Sequence, residues 1–322
     1  MLEATFGLVL TAAIATPHLL PLQRVTPIWA ATTWLATLAL RALLAVVAAL
    51  FVFVHLPQTG LFEVLTHLCL HQVLPVLGTE LGVSEHPVAH AAELLPAAVL
   101  VSSLIWLVFA LTRSRIALAR LLRRAIGEGP GGSTVVRDPG LLVAATRLGR
   151  RRIVVSDAAL RAMDAQELEA SLAHENGHLM RRHRPILLAG SVLAAVARLL
   201  PGTDAARREL HFHLERDADE YAVACTRDPL ALASAICKAA TTAPRGLIAL
   251  RGRSHARLRL GYLVDDKPRR AGRAVEFATR AFAGLLVAMV VAVAVTVPAL
   301  VIGHAPAAAL AADCHDAHQH QR

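Results

Sequence analysis

The segment His174-Glu175-Asn176-Gly177-His178 places two imidazoles four residues apart with a carboxylate between them. On a helix, at about 100° per residue, positions four apart lie roughly 40° apart on one face. Both rings can then reach one ion at the roughly 2.0–2.1 Å that zinc–nitrogen bonds require. Glu175 falls beside that face, where it can touch a metal-bound water without ligating. The pattern is short, and two solvated histidines beside a capped helix are its plain alternative. A hydrolytic zinc site needs a third protein ligand and an open fourth position. Glu215 and Asp219, in Glu215-Arg216-Asp217-Ala218-Asp219, are again four apart. Glu215 can complete a His-His-Glu set, and Asp219 can accept the free N–H of a ligand histidine. Glu209, Asp217 and Glu220 are rival carboxylates. The expected cofactor is one Zn²⁺ per chain. The expected chemistry is peptide hydrolysis, with Glu175 taking the proton of the attacking water and passing it to the leaving amine. His211 and Tyr221 are candidates for a second donor to the developing oxyanion.

These residues need rigid elements. Asp164 and Glu167 have capping-box spacing, which predicts a helix start just ahead of the motif. Leu168, Leu172 and Leu179 recur at helical intervals and predict an apolar stripe beside the metal face. Thr203 or Asp204, after Pro201-Gly202, can cap the helix that carries Glu215. Upstream, Ser133–Val136, Leu141–Thr146 and Arg152–Ser156 are short β-branched runs separated by turn residues, which predict a small sheet. Glu128–Gly132 (EGPGG) predicts a flexible break after a basic helix.

The surrounding composition is that of a membrane protein. Of 322 residues, 55% are hydrophobic and 18% charged, against about 25% charged in soluble domains. This excludes intrinsic disorder and disfavours a wholly soluble chain. Residues 113–276 hold 29 of the 33 Lys and Arg, and none lies between Arg41 and Arg113. Apolar runs predict four spans, at 2–22, 29–56, 93–112 and 281–302. Arg41 within the second span should face a partner helix or a polar cavity. The absence of a basic segment before the first run argues against a cleaved signal peptide. Arg113, Arg115, Arg120, Arg123 and Arg124 follow the third run, and Lys267, Arg269, Arg270 and Arg273 precede the fourth. The positive-inside rule therefore puts both clusters and Arg24 in the cytoplasm. The expected layout is three spans over 1–112 with an extracytoplasmic loop 57–92, a cytoplasmic α+β zincin-like domain over 113–276, a fourth span over 277–303, and an extracytoplasmic tail 304–322. Ile186–Leu200 is apolar but only 15 residues long, contains Arg198 and lies between Pro185 and Pro201. A crossing there would put His178 and Glu215 on opposite sides of the membrane, so a buried or membrane-dipping helix is expected. The four cysteines form no CxxC pair, and Cys225 and Cys237 should stay reduced in the cytoplasm.

Arg152–Ala224 resembles the membrane zinc metallopeptidases typified by the beta-lactam sensor and antirepressor proteases. More distantly it is similar to heat-shock and prenyl-processing membrane proteases. The matching pieces are RIVVSDAAL, ELEASLAHENGH and ERDADEYAVA with its ExxAD core. The resemblance implies His174, His178 and Glu215 as ligands, Glu175 as base and Asp219 behind a ligand. Asn176 departs from it, being polar where relatives usually carry an apolar or longer residue. No Ser-x-x-Lys occurs and only 19 residues run from His304 onward, so a penicillin-binding sensor domain is not expected.

The implied function is a plasma-membrane zinc endopeptidase. It would cleave a cytoplasmic protein substrate, such as a transcriptional repressor, in signal-regulated proteolysis. Quality control of membrane proteins is a second enzymatic reading, and a non-catalytic metal sensor or receptor is a reading of another class. The bilayer is an expected partner. Nucleic acid is not, because the basic residues cluster near the membrane ends and no aromatic platform accompanies them. Oligomeric state is not legible. Outside the cytoplasmic block, His67/His71 and His86/His90 are spaced to share an ion. With the tail histidines, Cys69 and Cys314, they are a solvated surface or a sensor of metal or acid pH.

Overall fold

The computed structural model describes residues 2–55, 87–146, 153–242, 247–265 and 271–303. The chain divides into two compact units. One comprises Met1–Ala42 and Leu100–Leu286, the other Leu43–Val99 and Val287–Arg322. The second unit contains the distal parts of three long helices. The candidate site described below lies in the first. The histidine pair 67/71, His86, Cys69, Cys314 and the tail 304–322 lie outside the described residues.

The fold is mostly helical. Helix α1 spans Leu2–Leu19, α2 Pro27–His55, α3 Pro87–Leu122 and α10 Arg273–Gly303. Among the described residues, Pro27–Ala49, Val101–Leu122 and Arg273–Val295 are long and apolar enough to cross a membrane. The first expected span, 2–22, overlaps α1, which is 18 residues long with Pro17 near its end and is not among these three.

Between α3 and α10 comes a small mixed sheet followed by helices. The strands are β1 Ala125–Glu128, β2 Thr134–Val136, β3 Val143–Ala145 and β4 Ile153–Ser156. Their order is β1-β2-β4-β3, so β1 and β3 are the edges. β1 runs antiparallel to β2, β2 parallel to β4, and β3 antiparallel to β4 with Ala145 opposite Ile153. Three strands fall within the expected runs. The fourth, β1, takes up residues expected to be helix and flexible break. Glu128 pairs with Thr134, and the Gly129 N–H donates to the Ser133 carbonyl at 2.9 Å. EGPGG is thus the ordered turn of a hairpin, with Gly131 at φ 61° and Gly132 at φ 71°, the region glycine enters without strain.

Ser156 ends β4 and starts α4 (Asp157–Ala162), its hydroxyl accepting from the Ala159 N–H at 3.0 Å. Helix α5, Ala165–Met180, carries the His-Glu-Asn-Gly-His motif. Its capping box is complete: Asp164 Oδ1 accepts from the Glu167 N–H at 2.8 Å, and Glu167 Oε2 from the Asp164 N–H at 2.9 Å. Helix α6, His183–Val196, is the short apolar run. A turn then reverses the chain into α7, Thr203–Thr226, followed by α8, Pro229–Thr242, and α9, Leu247–Val264.

Two packing arrangements position these helices. Leu22, Ala30, Ala31, Trp34 and Leu38, from α2 and the turn before it, form one core with Ala194 of α6 and Ala206, Leu210 and Leu214 of α7. Ala170 of α5, Ala222 of α7, and Ala231 and Leu232 of α8 form another. The expected Leu168/Leu172/Leu179 stripe is only half buried. The face of α5 that is buried carries Glu167, Ala170, His174 and Gly177. Small residues let α5 and α7 approach closely, so the leucines are left at the margin. The start of α7 also differs from expectation. Neither Thr203 nor Asp204 caps it; Gly202 precedes it at φ 83°, and the Thr203 hydroxyl turns back to the carbonyls of Ala197 and Leu200, each at 2.9 Å.

Candidate metal centre

Helices α5 and α7 pack side by side, and each presents one four-residue pair to the other. His174 and His178 come from α5, Glu215 and Asp219 from α7. The Nε2 atoms of the two histidines lie 3.2 Å apart. Glu215 Oε2 is 3.5 Å from His174 Nε2, and Glu215 Oε1 is 3.4 Å from His178 Nε2. In a tetrahedral zinc site with bonds of 2.0–2.1 Å, ligand atoms stand about 3.3 Å from one another. The three side chains thus fit a single metal ion, and they are a grouping of that kind among the described residues.

Each histidine is also held from behind. His174 Nδ1 lies 2.9 Å from Asp219 Oδ1. His178 Nδ1 lies 2.9 Å from Nδ1 of His183, which is fully buried. Arg259, on α9, closes the centre. Its Nε and Nη2 donate to the two oxygens of Asp219, each at 2.7 Å, and its Nη1 donates to Glu215 Oε2 at 2.7 Å.

The electrostatics follow from burial and these contacts. For His174, burial opposes the charged form, but Asp219 and Glu215 outweigh it and raise the imidazole to about 9. Glu215 is held well below the usual carboxylate range: burial works against this, while hydrogen bonds from both histidines and the Arg259 charge prevail. Asp219 is lowered, again against burial, chiefly by Arg259 and His174. Arg259 is raised by the same carboxylates. Glu175 is the exception. Burial raises its carboxyl more than the neighbouring histidines lower it. Its Oε2 accepts from the N–H of Ala145, on edge strand β3, at 2.6 Å. The carbonyl of the same residue accepts from Arg184.

The other candidates lie elsewhere. Asp217 pairs with Arg181 and with His183 Nε2, the latter at 2.9 Å. Glu209 sits 3.9 Å from His213, and Glu220 4.0 Å from Arg216. The Tyr221 hydroxyl accepts from Asn176 Nδ2 at 3.4 Å, while His211 is half buried on α7. Sequence spacing missed three residues. Gly177 is where α5 meets α7: a Cβ there would lie 3.1 Å from Tyr221 Cδ1 and 3.3 Å from Ala218 Cα. Its place in the motif was the available signal. His183 is five residues after His178 and gave only a third histidine in a short stretch. Arg259, 40 residues after Asp219, gave no local signal.

Residues 144–212 match the model of peptidase family M48. The match begins in β3, includes both histidines and Glu175, and stops three residues before Glu215. No curated protein and no solved structure matches the chain significantly. The segment 144–212, with the motif of α5 at its centre, is therefore similar to the metallopeptidases of family M48.

Proposed function

We propose that this protein is a zinc endopeptidase of the plasma membrane with a cytoplasmic catalytic domain, in which His174, His178 and Glu215 hold the metal and Glu175 is the general base. The observation that carries the reading is the convergence of two imidazole nitrogens and one carboxylate at tetrahedral separations, with the half-buried Glu175 beside them. Zinc bound there would polarise a scissile carbonyl and lower the pKa of a water molecule. Glu175 then does the proton work. Burial makes its carboxyl a better proton acceptor than an exposed glutamate. With Oε2 held by Ala145, Oε1 is the oxygen left to take a proton from the attacking water and return it to the leaving amine.

The substrate is proposed to be a cytoplasmic repressor or partner protein, in line with the resemblance of ELEASLAHENGH and ERDADEYAVA to sensor and antirepressor proteases. Membrane-protein quality control is a second reading, favoured by one contact: Arg216, next to Glu215, donates to the Gln23 carbonyl in the α1–α2 turn at 2.9 Å. That contact places the centre close to a hairpin of apolar helices. Substrate profiling separates the two, since one or two discrete cytoplasmic substrates favour regulation and many membrane proteins favour quality control.

The catalytic reading is tested on purified protein. Wild type is expected to bind about one zinc per chain, and Glu175→Ala to keep the metal and lose peptide hydrolysis by at least about 100-fold. Cleavage by the zinc-loaded Glu175→Ala protein at the wild-type rate would overturn the mechanism. Glu215→Ala should weaken zinc binding strongly, and unchanged affinity would move the third ligand elsewhere.

A further inference from the structure

We infer that His183 is a positioning residue for the metal: together with Asp217 it determines which nitrogen of His178 is free to bind and where that nitrogen points. The inference rests on the reading of His174, His178 and Glu215 as ligands.

The two ligand histidines are supported differently. His174 Nδ1 faces a carboxylate directly, Asp219 at 2.9 Å, with Arg259 behind it. No carboxylate touches His178 Nδ1 in the described contacts. In that place stands the ring of His183, its Nδ1 2.9 Å away, and behind it Asp217, whose Oδ2 lies 2.9 Å from His183 Nε2. Arg181 donates to Asp217 Oδ1 and also to its backbone carbonyl, the latter at 3.2 Å. Both supports therefore end on an Asp–Arg pair, but one is extended by an interposed imidazole. His183 is wholly buried and Asp217 nearly so.

The direction of the hydrogen bonds follows from the end of the chain. An ionised carboxylate only accepts, so His183 must present a proton to Asp217 on Nε2. With its one proton there, His183 has a bare Nδ1, which can only accept. His178 must then donate from Nδ1, which leaves Nε2 with its lone pair. That is the atom 3.2 Å from His174 Nε2 and 3.4 Å from Glu215 Oε1. With both rings neutral, as metal binding through His178 requires, this arrangement satisfies every group in the chain Asp217–His183–His178 and presents His178 as a ligand. The reverse arrangement would leave His183 Nε2 bare against the carboxylate and put a proton on His178 Nε2, where the metal would bind.

The backbone between the two histidines is shaped to bring this about. Helix α5 ends at Met180, and His183 lies five positions after His178. Continued helix would carry residue 183 about 140° round from residue 178. Instead Arg182 adopts φ 54°, ψ 41°, a left-handed conformation that a non-glycine residue seldom adopts. It reverses the chain so that His183 opens α6 and turns its ring back against His178, with ring centroids 4.9 Å apart.

The test is equilibrium binding of Zn²⁺ and Co²⁺ to the full-length protein in detergent, with the Co²⁺ ligand-field spectrum as a second readout. His174→Ala is the control for the underlying reading; if it binds metal as tightly as wild type, the ligand assignment itself fails. With that control holding, His183→Gln and His183→Leu decide the relay. Glutamine can accept from His178 with its amide oxygen and donate to Asp217 with its amide N–H. Leucine fills the space and can do neither. The glutamine variant is expected near wild-type affinity with an unchanged cobalt spectrum. The leucine variant is expected to bind about 10- to 100-fold more weakly, the range for partners behind a ligand histidine, with altered band intensities. Equal affinities and spectra for the two variants would overturn the inference and leave His183 as packing.

Discussion

Asp219 is a buried carboxylate and Glu215 a half-buried one a turn away, and Arg259 is a cation that grips both, beside His174. Bringing like charges together at a partly desolvated site requires counter-charge. Removing Arg259 leaves the pair less fully compensated. Arg259→Ala is therefore expected to destabilise the metal-free protein by about 2–3 kcal/mol, below the full value for a buried pair because the Glu215 side chain stays 34% exposed. Arg259→Lys keeps the charge but loses the three-point fork, and is expected to recover only part of the loss. Chemical denaturation in detergent, in the presence of a chelator, measures both. If Arg259→Ala is as stable as wild type, the guanidinium does not have this role.

At the scale of elements, α5 is held at both ends by contacts that bear on the metal. Near its C-terminal end, Gly177 lets α7 approach until a Cβ would lie 3.1 Å from Tyr221 Cδ1 and 3.3 Å from Ala218 Cα. Gly177→Ala raises helix propensity by about 1 kcal/mol. Its methyl, however, is tight against Tyr221 and the Ala218 backbone, so the neighbouring helix must give by a few tenths of an ångström. A net loss of about 1–3 kcal/mol is expected, together with weaker zinc binding because His174 and Glu215 sit on the two separated helices. A variant as stable as wild type with unaltered zinc affinity would show that the approach is not constrained here. At the N-terminal end, Glu167 accepts from Lys238 Nζ and Ser234 Oγ of α8, each at 2.5 Å, as well as from the Asp164 N–H. Burial pushes its carboxyl up, but these three contacts outweigh that and hold it below its ordinary value. A lowered folded-state pKa means that the contribution is complete above the unfolded value, about 4.3. It is lost as pH falls through the lower folded value. The melting temperature is expected to drop as pH is taken from about 5 to about 3. Glu167→Gln should be less stable at neutral pH and show a flatter profile in that window. Parallel profiles for the two proteins would show that this carboxylate is not responsible.

The turn between α1 and α2 is joined to the helices of the candidate metal centre. The Gln23 carbonyl accepts from Arg216 at 2.9 Å and from the Tyr262 hydroxyl at 3.0 Å. The guanidinium of Arg216 lies over the Tyr262 ring at 4.3 Å. The Arg24 carbonyl accepts from the Ala271 N–H at 2.7 Å, and Thr26 donates to Glu276, near the start of α10, at 2.5 Å. Arg216 follows Glu215 in α7, and Tyr262 lies one turn after Arg259 in α9. Both α7 and α9 are thereby tied to the turn. Arg216→Ala is expected to speed amide exchange across residues 22–26 by about tenfold or more, the effect of losing a buried charge-assisted hydrogen bond, with zinc still bound. Exchange at the wild-type rate would show that the turn is held by its other contacts.

The sequence alone determined what depends on local periodicity. His174 and His178 four apart, Glu215 and Asp219 four apart, and the capping box at Asp164 and Glu167 each describe one helix, and helical geometry is the same wherever the helix lies. Apolar run length likewise marked the regions of α2, α3 and α10, because the thickness of a bilayer is fixed. Tertiary structure decided what depends on separate elements meeting. Arg259 is remote in sequence from the carboxylates it grips, so only the packing of α9 against α7 joins them. His183 reaches His178 through a left-handed residue, a reversal that no periodic pattern encodes. The leucines of α5 were read as its anchor because they are apolar, whereas the buried face is made of Ala170, His174 and Gly177, since close helix contact selects for small size as well as for hydrophobicity. β1 was hidden inside a basic helix and a glycine-rich break because an edge strand of four exposed residues acquires its conformation from its partner, β2, rather than from its own composition.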